Sequence, residues 1–125
     1  MATTYERSIQ KPIELWCVSG TTLGFSLRFW ADLNKTTRKN MTGATTRLVV
    51  RRKHEDPVAF FDSNTVPNSC YFSNALNGDA AVRLEAITTK LLPPGSLVYD
   101  IFVTLNGTTE RVMYGTFTVN PRVNP

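Results

Sequence analysis

A chain of 125 residues, 42% hydrophobic and 19% charged, is long enough to bury one core and short for two. Its formal net charge of +4 and pI near 9.3 form a mild basic excess, which suits an acidic partner or simply a solvated surface. No apolar run nears the roughly 20 residues that span a bilayer, and the opening MATTYERSIQKP lacks the apolar stretch of a signal peptide, so neither a membrane partner nor a secretory route is expected.

Residues 1–12 are polar and aperiodic, and read as an arm containing Tyr5 ahead of a domain at 13–120 and a short tail at 121–125. Ile13–Val18 predicts a short strand closed by a turn at Ser19-Gly20. In Thr22–Trp30 the residues Leu23, Phe25, Leu27 and Phe29 share one face, while Gly24, Ser26, Arg28 and Trp30 share the other. A polar loop over 31–45, broken at Gly43, leads to a strand at Thr46–Arg52. There Leu48 and Val50 point one way, and Arg47, Val49 and Arg51 the other. After the charged turn KHEDP come a short strand at Val58–Asp62 and two more at Cys70–Ser73 and Ala80–Glu85, separated by an Asn77-Gly78 turn. Ala86–Leu91 is the one stretch with room for a helix, of a turn or two, before Pro93-Pro94 stops it.

Next, Leu92–Leu105 and Arg111–Val119 alternate strictly around Asn106-Gly107, the dipeptide that accepts positive φ at both centres of a type I′ hairpin turn. Leu97, Tyr99, Ile101, Val103 and Leu105 face the core together with Met113, Gly115, Phe117 and Val119. Seven or eight short strands with turns every 8–12 residues describe an all-β sandwich.

Candidate chemistry is thin. His54 is the single histidine and lies in a charged turn, without the context of a catalytic nucleophile. Glu55-Asp56, Glu85 and Glu110 fall in different segments, and Asp100 stands mid-strand, where a structural role is expected: an exposed face, or a hydrogen bond to a neighbouring loop. Cys17 and Cys70 match no metal spacing and read as free thiols, so neither a metal nor a cofactor is expected. Asn34, Asn40 and Asn106 begin Asn-x-Thr triplets, which carry glycans only on a secreted route.

Lys35, Arg38 and Lys39 share one loop, and Arg47, Arg51, Arg52 and Lys53 crowd the next strand; gathered together they would form a positive edge near Trp30. Nucleic-acid binding would use such an edge, yet no RRM, KH or OB signature accompanies it, and docking on an acidic protein surface is the more economical reading. Trp16 and Trp30 both alternate away from the apolar faces, which suggests a covered surface or loops folded over them.

Four segments, Met41–Ala44, Val50–Arg52, LPPGSLVYDI at Leu92–Ile101 and YGTFTV at Tyr114–Val119, resemble the pattern of small β-sandwich domains in tailed-phage virion proteins. The chain is similar over residues 13–123 to the N-terminal domain of phage upper-baseplate proteins and to stand-alone relatives. It departs in a longer, more basic loop at Asn34–Asn40, and it lacks the stalk and receptor-binding head of the larger members. The resemblance implies an immunoglobulin-like, non-enzymatic module in the virion, assembled in the bacterial cytoplasm, that docks on other tail, baseplate or capsid subunits, as a homo-oligomer or a symmetric multicopy array. Capsid decoration is the alternative, and carbohydrate or receptor binding a further one. Tyr5, Trp16, Trp30, Arg51, Arg52 and Lys53 are the expected contacts.

Overall fold

The computed structural model describes residues 12–31 and 36–121 in full and residues 3–6 as backbone. In chain order the described residues form nine strands, β1 (Thr3–Glu6), β2 (Leu15–Val18), β3 (Leu23–Arg28), β4 (Thr45–Arg51), β5 (Phe61–Asp62), β6 (Cys70–Asn74), β7 (Asp79–Leu84), β8 (Gly95–Leu105) and β9 (Thr108–Asn120), with a six-residue helix α1 (Ala86–Leu91) between β7 and β8. They make a four-stranded sheet ordered β1-β3-β7-β6 and a five-stranded sheet ordered β2-β9-β8-β4-β5. This strand distribution is that of an immunoglobulin sandwich, with β3, β7 and β6 in the B, E and D places and β9, β8, β4 and β5 in those of G, F, C and C′.

Eight of the strands overlap the stretches expected to be strands, although β5 keeps only the last two residues of Val58–Asp62, and the helix occupies the stretch with room for one. The ninth, β1, comes from the polar arm and pairs in parallel with β3, Thr3 beside Phe25 and Glu6 beside Arg28. A ladder uses backbone groups, so a short polar edge strand leaves no alternation for the sequence to display. The hairpin turn has the conformation its dipeptide requires, with Asn106 at φ 52° and Gly107 at φ 79°.

The core is the interleaving of two inward faces. Phe25, Leu27 and Phe29 of one layer meet Leu48, Val50, Leu97, Ile101 and Phe117 of the other, all buried. Tyr99 sits at the centre with no exposed surface, edge-on to Phe117 at 6.4 Å, and its hydroxyl donates to the Ile13 carbonyl at 2.6 Å. That bond ties the start of β2 across β9 to β8. Gly115 allows the close approach, because a Cβ there would lie 2.9 Å from the Ile13 nitrogen and nearer still to its oxygen. At the opposite end of β2, Thr89 of α1 is wholly buried, accepts from the Gly20 amide and donates to the Thr21 carbonyl, which holds the helix under the β2–β3 turn.

Candidate functional site

Outward positions in a two-layer sandwich are normally wet, but the outer face of the five-stranded sheet has a buried centre. Val49, assigned to the solvent side by alternation, is 1% exposed, and its cross-strand neighbour Asp100 is 5% exposed. Long cationic side chains laid across the sheet produce this burial. Arg111 donates through Nη1 to Asp100 Oδ1 at 3.2 Å, and His54 Nδ1 lies 3.1 Å from Oδ2. Arg51 Nη1 stands 3.9 Å from that same Oδ2. At the sheet edge Arg47 grips Asp62 bidentately, Nε to Oδ1 at 2.9 Å, and this bond holds the Asp62 carboxyl below its ordinary pKa.

Arg111 reaches Asp100 only because of a backbone irregularity. Strict alternation from Met113 would turn Arg111 into the core, but a bulge opposite Ile101/Phe102 makes Arg111, and not Val112, the partner of Phe102. The extra residue rotates the side chain outward, where its guanidinium stacks 4.0 Å from the Tyr114 ring centroid. Next to the cluster, Arg52 lies 5.4 Å over the ring of Phe60, itself 45% exposed. Two guanidinium groups and an imidazole thus share one buried carboxylate, which leaves this spot positive. The Arg51 Nε is buried and has no hydrogen-bond partner among the described residues.

The six expected contacts separate into two groups. Trp16 lies on the same outer face, on β2 beside Thr118, and is 64% exposed. Arg51 ends β4, with Arg52 and Lys53 exposed just beyond it. Trp30 is elsewhere: it continues β3 on the four-stranded sheet, so it and the arginines of β4 face opposite sides, and the single positive edge expected around it does not form. Arg28 and Arg38 place their guanidinium carbons 5.9 and 5.2 Å from the Trp30 ring centroid, and both pair with Asp79. With the Trp30–Arg38 bridge, this fastens the following loop to the sheet and covers the indole. Lys35 lies outside the described residues; Tyr5 stands opposite Leu27 in β1, and its side chain is likewise outside them.

Of the two structural roles expected for Asp100, an exposed face or a bond to a neighbouring loop, burial rules out the first, and His54 supplies the loop partner of the second. Tyr114 and Arg111 carried no such sign: Tyr114 looked like an ordinary outward strand residue, and the bulge that aims Arg111 leaves no trace in composition. Cys17 and Cys70 are both free; burial pushes the Cys70 thiol up to about 11 and raises Cys17 as well. Among the described residues no three His, Cys, Asp or Glu side chains gather as metal ligands, and no helix is long and apolar enough to cross a membrane.

No protein-family model matches the chain, and no characterised protein matches it in sequence. Among solved structures it is similar to the N-terminal domain of phage TP901-1 ORF48, at 10% identity with a TM-score of 0.51, over 94% of each chain. Similarity to the natural killer cell receptor NKp44 has a TM-score of 0.46 at 11% identity, covering 90% of this chain and 100% of that one. An uncharacterized Bacillus anthracis protein gives 0.45 at 14% identity, over 97% and 85%. At these identities the first likeness concerns the fold.

Proposed function

We propose that this chain is a non-enzymatic structural protein of a phage particle, an assembly module that docks on tail or baseplate subunits. The observation that carries the reading is the end-to-end fold likeness to a phage-encoded domain, reached independently of the sequence motifs that resemble phage virion sandwiches. The outer face of the five-stranded sheet supports it further. An exposed indole on the edge strand β2 and a positive, partly desolvated arginine cluster across β9, β8 and β4 are the residue types that dominate protein interfaces.

Mass spectrometry of purified particles from the source phage tests the proposal. The chain is expected there in many copies, and cryo-electron microscopy then separates tail and baseplate density from capsid density, the latter being the decoration alternative. Absence from washed particles overturns both. The receptor-binding alternative expects binding by the isolated domain that Trp30→Ala removes, at an indole flanked by the guanidinium groups of Arg28 and Arg38.

A further inference from the structure

We infer that the outer face of the five-stranded sheet pairs with the same face of a second copy of this chain, about a two-fold axis running along the strands between β8 and β9. The inference rests on reading this face as an interface, and not on where in a particle the protein resides.

The argument comes from the register. Leu15 lies beside Phe117 in parallel, and the Ile13 backbone lies against Gly115, so Glu14, exposed and one step before β2, lies beside Thr116. Thr116 pairs with Val98, and Val98 with Arg51. Glu14 and Arg51 therefore end the same cross-strand row, on opposite sides of the face. One row further, Trp16 is followed by Thr118 and Ser96, which brings the row level with Lys53 just past the end of β4. In the middle, Tyr114 pairs with Asp100.

A two-fold axis parallel to the strands preserves height and exchanges β2 with β4 and β9 with β8. Each row then meets its own reverse. Glu14 of one copy faces Arg51 of the other, the indole of Trp16 faces the Lys53 level, and Tyr114 with its stacked Arg111 faces Asp100. The face thus carries its own complement: an acid and an exposed aromatic on one edge, guanidinium and ammonium groups on the other. Glu14 supplies the carboxylate that the Arg51–His54–Arg111 cluster, served by a single Asp100, is short of. Self-complementarity under a two-fold axis is what an isologous dimer requires, and twisted sheets stack face to face in this way with their strands about 30° apart.

The four strands that this axis superposes, at about 4.8 Å spacing and about 25 Å of strand length, give roughly 480 Å² per copy, or about 960 Å² in total, the size of a weak, transient contact. The expected dimer is accordingly weak, with a dissociation constant on the order of 1–100 μM, and salt-sensitive.

Sedimentation velocity on the purified chain across that concentration range tests this. A monomer–dimer equilibrium is expected. Glu14→Arg and Trp16→Ala, both at exposed positions, should each loosen it about tenfold or more. The charge swap E14R/R51E should recover most of the loss. Should circular dichroism show R51E unfolded, E14R/R51Q replaces it, with partial recovery expected, and Trp30→Ala, on the other sheet, should change nothing. A chain monomeric throughout, or a dimer indifferent to both E14R and W16A, overturns the inference. A monomer that still enters particles rejects the pairing alone, whereas a dimer absent from particles rejects the virion reading alone.

Discussion

Replacing Gly115 by alanine tests the packing of β2 against β9 at its tightest point. The residue has φ 152°, which side-chain-bearing residues rarely adopt, and the new Cβ would lie 2.9 Å from the Ile13 nitrogen and 3.0 Å from its carbonyl carbon. Backbone strain of this kind costs about 1–3 kcal/mol, and forcing an atom into filled space about 1–3 kcal/mol more. Relief is restricted, because Ile13 is held at both polar atoms: its N–H donates to the Tyr114 carbonyl at 2.9 Å and its oxygen accepts from Tyr99 at 2.6 Å. A destabilisation of about 2–6 kcal/mol is expected, a large part of the roughly 5–15 kcal/mol that holds a domain together. For a chain of this size that is a fall in Tm of about 8–24 °C by scanning calorimetry. Gly107→Ala is the control, since its φ is 79° but nothing lies within 4 Å of its Cβ, so only about 1 kcal/mol is at stake. If Gly115→Ala shifts Tm no further than Gly107→Ala, the Ile13 backbone does not lie against β9 as described.

Asp100→Ala should cost about 2–3 kcal/mol in chemical denaturation, less than the 3–5 kcal/mol of a fully buried pair, because its partners Arg51, His54 and Arg111 retain 22%, 41% and 45% of their side-chain exposure; an effect below 0.5 kcal/mol would show the cluster to be ornamental. The folded pKa of Asp62 is depressed by its bond to Arg47, so its contribution is present above the ordinary value of 3.8 and disappears as pH falls through the lowered one. Arg47→Ala should therefore lower stability at neutral pH and flatten the acid limb of the stability–pH curve, with variant and wild type converging at the acid end. Both thiols are raised by burial, which predicts slow reaction with Ellman's reagent at pH 8 in the native state and prompt release of two equivalents in denaturant. Fast labelling of either cysteine in the folded protein would contradict that placement.

Most of the sandwich was legible because its signal is alternation, strongest in β3, β8 and β9, whose side chains face a core. The helix showed only as the stretch with room before Pro93-Pro94, and of the strand expected at Val58–Asp62 two residues form. β1 shows no such alternation, since its four residues are held by backbone groups alone and their polarity matches that of a loop. The outer face of the five-stranded sheet was half legible. Trp16 and Arg51 stand out as an aromatic and a cation on outward positions, and Asp100 as an acid among apolar neighbours. The separation of Trp30 from the arginines of β4 depends on which layer each strand joins, a long-range choice that no local pattern encodes. The role of Arg111 depends on one inserted residue in a ladder, which inverts the face that period-two counting would assign.

The parallel pairing of β2 with β9 has a consequence for the order in which this molecule can be made. Leu15 and Trp16 leave the ribosome well before their ladder partners Phe117 and Thr118, with every other strand of the sandwich but β1 synthesised in between. Until then Trp16 and the inner-facing Leu15 and Cys17 have no sheet to join, and the β8–β9 hairpin, which closes locally, must exist before they can. Synthesis of β9 is therefore the event that shuts the sandwich, and nascent chains stalled before Phe117 should remain open to proteases around Leu15–Val18.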